Sequence, residues 1–138
     1  MVLLALCGCG GNDNDNTSAT TSVPATAVAS NPVIVTVGAV ANQFSPATVN
    51  IRPGDTVEWV WAGGPYTVTS GSPTAGGPDG MFCSLASGKL VSRGTCNSRS
   101  YAQDAGATFS WNFLSAGTFH YFSTVQGAAM SGTVVVGP

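Results

Sequence analysis

Few side chains in this chain carry reactive or metal-binding groups: four cysteines, one histidine and three methionines stand among 138 residues. Cys83 and Cys96 lie inside "CSLASGKLVSRGTC", while Cys7 and Cys9 lie inside "LCGC" near the start. In an exported chain, Cys83 and Cys96 are expected to pair as a disulfide, because oxidising compartments join remaining thiols. In the loop-entropy account such a bond contributes about 3 kcal/mol. The other reading is a pair of metal thiolates, although cysteine-rich metal sites use tighter spacing and histidine partners. Ser123 and His120 are close in sequence, but side chains alternate along a strand, so they face opposite ways and make a poor nucleophile–base pair. His120 reads as a surface or strand-edge residue, the alternatives being a surface metal site or a local hydrogen bond. No carboxylate pair and no phosphate-cradling glycine loop appears, so catalysis is not expected.

These groups must be positioned by strands. "PVIVTV" is a β-branched run and predicts the first strand. "TVNI" predicts a short one, and "RPGD" a tight turn with Pro and Gly where a turn wants them. In "TVEWVW", Val57, Trp59 and Trp61 share one face. "YTVTS" predicts another strand. The Gly/Pro/Ser-rich stretch from Gly71 to about Gly106 carries no strong strand signal. "ATFSWNF" puts Phe109, Trp111 and Phe113 on one face, and "TFHYFS" and "GTVVV" close the chain. About seven short strands with turns between them predict an all-β, antiparallel Greek-key sandwich or barrel. Its expected core is Val35, Phe44, Val49, Val57, Trp59, Val68, Phe109, Trp111, Phe119, Tyr121 and Val134.

Composition narrows the function. Only 7% of residues are charged and the net charge is −2. Arg52, Lys89, Arg93 and Arg99 are scattered and form no stripe, which argues against nucleic acid. The apolar run Val2–Leu6 is too short to span a bilayer and reads as the end of an export signal. "LCGC" has the look of a bacterial lipobox, with Cys9 the better lipidation candidate and Cys7 the second. Residues 10–31 have no large apolar side chain beyond valine and read as a flexible tether. The expected organisation is therefore a signal with lipobox over 1–9, a tether over 10–31 and one folded domain over 32–138. Its expected place is the bacterial cell envelope, periplasmic or on the outer face, held to the membrane by the lipid alone.

"VTVGAVANQFSPATVNIRPGDTVEWVW" resembles the opening of plastocyanin-like cupredoxins, and "FSWNFLSAGTFHYFSTVQGAAMSGTVVV" their closing half. The resemblance covers Pro32 to Val136 and implies a sandwich of seven or eight strands. It also implies a blue copper site at one end, where two His and one Cys hold copper in a plane with a long axial Met. In the family the first His opens a strand in a context like "HTV", and the rest follow as Cys-x-x-His-x-x-x-Met. Here "PYTVTSG" puts Tyr66 at the first His, and "STVQGAAM" puts Ser123 at the Cys, Gln126 at the second His and Met130 at the Met. The spacing is kept and the three strong donors are replaced. The resemblance thus implies a domain with no cofactor, its four former ligand positions converging at one end with Tyr66, Ser123 and Gln126 satisfying one another. Its function is then that of a binding or structural module. Pro65, Gly127, Ala128 and Ala129, with Met130, form a candidate contact patch for a protein partner. The alternative is a copper-binding electron-transfer protein of the plastocyanin/azurin type.

Overall fold

A computed structural model describes residues 31–84, 96 and 101–138. The first sheet is built from the alternating segments. β1 (Val33–Val37) runs parallel to β4 (Thr56–Trp61), with Val35 opposite Trp59 and Val37 opposite Trp61. The two-residue β2 (Phe44–Ser45) pairs with the outer side of β1, and β7 (Thr108–Asn112) pairs antiparallel with β4, giving the order β2-β1-β4-β7. The irregular edge at Phe44 and Pro46 agrees with a Pro that cannot donate to a ladder.

The second sheet contains β3 (Thr48–Ile51), β5 (Thr69–Ser72), β6 (Gly77–Cys83), β8 (Gly117–Ser123) and β9 (Gly127–Val136), in the order β3-β9-β8-β5-β6. β3 lies parallel to β9, and β8 and β9 form the longest hairpin. The chain crosses from one sheet to the other between β2 and β3, and back before β4, which makes a Greek-key sandwich. Among the described residues the strands number nine, where the sequence predicted seven or eight.

Most of the difference lies in β6. Gly77, Pro78, Asp79 and Gly80 read as turn residues, yet they pair with β5 across an irregular register. Ser70 fastens this junction: its Oγ bonds Asp79 and accepts the main-chain N–H of Phe82 at 2.9 Å. Phe82 is thereby carried into the core, where it packs on Trp59 at 5.6 Å and Trp111 at 5.5 Å. Burying one such side chain is worth about 1.5–3 kcal/mol.

The predicted core is largely the observed one, with Phe109, Trp111 and Phe119 packed against it but only partly buried. Trp59 is fully buried and Tyr121 crosses it edge-on at 5.3 Å. The Tyr121 ring fits because its partner across the hairpin is Gly132, where a Cβ would overlap the phenol. Tyr121 OH and Trp59 Nε1 are both buried without a hydrogen-bond partner. Burial pushes the Tyr121 phenol up to about 12, and the neighbouring Trp59 indole pulls more weakly the other way without reaching hydrogen-bond geometry.

Cys83 and Cys96 form a disulfide, with Cα atoms 5.8 Å apart. Cys7, Cys9 and residues 10–30 of the expected tether lie outside the described residues.

Candidate functional site

The turn between β8 and β9 is built tightly. Ser123 pairs with Gly127, leaving Thr124–Gln126 as the turn, and the Gln126 N–H returns to the Ser123 carbonyl at 3.2 Å. Gly127 has φ 59°, the left-handed conformation that a turn exit of this kind takes. The next pair on β8 is Phe122 with Ser131, so one step on β8 faces four on β9. That mismatch makes a bulge of Ala128–Met130. "GAAM", the segment of the candidate contact patch, is therefore the bulged start of a strand. The bulge turns Met130 inward, where it is buried in the core cluster, and leaves Ala128 and Ala129 exposed.

Ser123 is fully buried, and its Oγ accepts the main-chain N–H of Thr67 at 3.2 Å. The bond spans 56 residues of sequence and sets the Tyr66–Thr67 segment beside the end of β8. Thr67 extends the link. Its Oγ1 lies 3.1 Å from Thr124 Oγ1 and 3.2 Å from Thr69 Oγ1, and it accepts the Thr124 N–H at 2.8 Å. Close by, Val68 N–H donates to Ser84 Oγ at 2.9 Å and Ser84 N–H returns to the Val68 carbonyl at 2.7 Å. Thr67, Thr69, Ser70, Ser84 and Ser123 are all buried. Each has a partner, as burial of a hydroxyl requires.

Tyr66 belongs to the same end but not to this network. Its main chain is bridged to Gln103 in both directions, at 3.1 and 2.8 Å, and its carbonyl also accepts the Trp61 indole N–H at 3.0 Å. The phenol oxygen accepts the Asn42 N–H at 3.2 Å and lies 3.5 Å from Asn42 Oδ1. The expected mutual satisfaction of Tyr66, Ser123 and Gln126 is thus replaced by outside partners: Asn42 for Tyr66, Thr67 for Ser123. The Gln126 side chain is half-buried and makes no hydrogen bond to another described residue. Asn42, Thr67, Gln103 and Thr124 were not singled out from sequence. Their partners stand far away in the chain, and nothing local marks them. Among the described residues no group of three His, Cys, Asp or Glu side chains is placed to hold a metal ion.

A family model described as copper binding proteins, plastocyanin/azurin family, matches residues 32–137. The chain belongs to the plastocyanin/azurin family. Solved structures agree on the fold. A reduced amicyanin variant matches at 20% identity and TM-score 0.52 over 80% of this chain and 87% of that one. A purple cupredoxin from Nitrosopumilus maritimus matches at 19% and 0.55 over 76% and 99%. The copper-containing nitrite reductase NirK from Thermus scotoductus SA-01 matches at 19% and 0.53, over 78% of this chain but only 23% of that enzyme. No curated protein sequence matches.

In this plastocyanin/azurin relative, His120 is exposed on the outer face of the second sheet, its Nδ1 3.2 Å from Thr133 Oγ1. It therefore points away from buried Ser123, as strand alternation predicted. Of the candidate contact residues, Pro65, Ala128 and Ala129 are exposed and Gly127 is half-buried. Pro65 is exposed beside Tyr66, after a cis bond from Gly64, whereas Ala128 lines a cavity of about 210 Å³ with His120, Ser131 and Thr133 on the outer sheet face. Met130 is buried and takes no part in a surface.

Proposed function

We propose that this protein is an exported, lipid-anchored cupredoxin-like domain that has lost its type 1 copper centre and acts as a binding or structural module. The observation that carries the reading is the state of the two strongest oxygen groups at the matched positions. Ser123 Oγ is taken by the Thr67 N–H and Tyr66 OH by Asn42. The donor chemistry points the same way. Blue copper depends on a thiolate and two imidazoles, and a hydroxyl, a phenol and an amide are weak ligands for the soft reduced ion. Met130 alone supplies a thioether. The residues present do not fit type 1 copper. No catalytic role is assigned. Protein contact would use the end carrying Pro65 and Gly127, or the exposed Ala128 and Ala129, with a partner of unknown identity. Cys9 would hold the chain to the membrane.

The alternative, a copper electron-transfer protein, draws its support from family membership. Copper titration separates the two. The purified protein is expected to stay colourless with Cu(II), because no thiolate is present to give the charge-transfer band, and its melting temperature should not rise. A blue protein, or metal retained after desalting, would refute the copper-free reading. The triple variant Tyr66→His, Ser123→Cys, Gln126→His is expected to turn blue, since the matched spacing would then carry a full donor set. Lipidation is read separately, by fatty-acid labelling that Cys9→Ala abolishes.

A further inference from the structure

The copper-free reading explains which donors are missing. It does not explain why Tyr66 is gripped by residues outside the four matched positions. The Tyr66 ring lies against Gly38, where a Cβ would stand 2.5 Å from Cε2. Gly38 has φ 71°, a left-handed conformation costly for other residues, so both its shape and its backbone suit glycine. The phenol ends on Asn42, whose φ of 60° places its N–H toward the ring; Asn tolerates this region better than most residues. Two bonds stiffen the loop between them, Gly38 N–H to the Gln43 carbonyl at 2.9 Å and Gln43 N–H to the Val40 carbonyl at 3.2 Å. The Gln103 bridge and the Trp61 indole fix the Tyr66 main chain from the other side. Only 8% of Tyr66 remains exposed.

From this geometry we infer that residues 38–43 form a latch that holds Tyr66 as the stopper of this end of the sandwich, with Asn42 as the positioning residue. The inference rests on the copper-free reading and deepens it. The site is closed to metals and small ligands by a fitted side chain with its own partner, in addition to having lost its donors. Simple loss of ligands requires nothing of Gly38 or Asn42, whereas a stopper requires both. To turn toward Ser123 or Gln126 the phenol must give up both the part-buried bond from the Asn42 N–H and the seat of its ring on Gly38.

The test follows amide exchange in the isotope-labelled full chain. The Asn42 amide is expected to be protected, and Tyr66→Phe, which keeps the ring, to speed its exchange by about fivefold to tenfold while the Gln103 amide stays slow. An Asn42 amide that exchanges freely, or is unmoved by Tyr66→Phe, overturns the latch. A second variant tests the stopper directly. In Ser123→Cys/Gln126→His given Cu(II), resonance Raman is expected to show no copper–tyrosinate modes, because Tyr66 stays on Asn42. Such modes would mean that Tyr66 swings free, and would overturn it. The two readings fail separately. A blue wild-type protein defeats the copper-free reading whatever the Asn42 amide does, and a fast Asn42 amide in a colourless protein defeats the latch alone.

Discussion

The end of the sandwich around Ser123 and its centre around Trp59 handle polar atoms in opposite ways. At the Ser123 end, five buried hydroxyl residues and the Tyr66 phenol all find partners. At the centre, where apolar packing is densest, Tyr121 OH and Trp59 Nε1 have none. Small hydroxyl side chains can be satisfied by neighbouring main chain, so they fill the end without penalty. The centre needs ring volume, and the polar atom at the tip of each ring is carried along unsatisfied. Polarity at a site position and polarity in the core thus have different costs in one fold.

That contrast can be attacked from either side. The largest effect is expected at the centre, from Gly132→Ala. Its Cβ would overlap the Tyr121 phenol, which the rings of Phe44 and Trp59 hold in place, so the cost should be about 3 kcal/mol by urea denaturation. A variant as stable as the wild type would show that the centre yields more than dense packing allows.

Next in size is a pH effect. Tyr121 ionises near its ordinary value of 10 when unfolded but at about 12 when folded. Between those values the unfolded chain holds fewer protons than the native one, so stability falls as pH rises. The stabilisation is whole below pH 10, and about 2–3 kcal/mol of it is gone once pH has passed 12. Tyr121→Phe should flatten this part of the stability–pH curve, and an unchanged slope would locate the titrating group elsewhere.

The smallest pair sets the two regions side by side at neutral pH. Ser123→Ala leaves the buried Thr67 N–H without its acceptor and should cost about 1–3 kcal/mol. Tyr121→Phe removes an oxygen that has no partner and should be neutral or stabilising by up to about 1 kcal/mol. Equal losses from both would erase the distinction drawn between the end and the centre.

Which parts could be read from sequence follows from the range of the forces involved. "TVEWVW" announced β4 because each of its residues faces the core or solvent in turn, and the observed burial alternates the same way. β6 was hidden because Gly77 to Gly80 are turn formers locally. What makes them a strand is pairing with β5 and the Ser70–Asp79 contact, both set by the fold. The positions of Tyr66, Ser123, Gln126 and Met130 came from the family spacing. The partners of Tyr66 and Ser123 did not, since Asn42 lies 24 residues from Tyr66 and no local pattern links them. The bulge at Ala128–Met130 left no mark in the sequence, because a bulge shows only when the opposite strand is known.

The direction of β1 also decides how the molecule would be displayed. β1 enters at Val33 and finishes at Val37, opposite Trp61, next to Gly38 and the Tyr66 ring. Its five residues cover about 16 Å of strand. Whatever holds the chain upstream of β1 therefore pulls on the pole of the sandwich farthest from Tyr66. On the proposed lipid anchor at Cys9, the tether would join the domain at the pole opposite the latched end, which would stay free to meet other molecules.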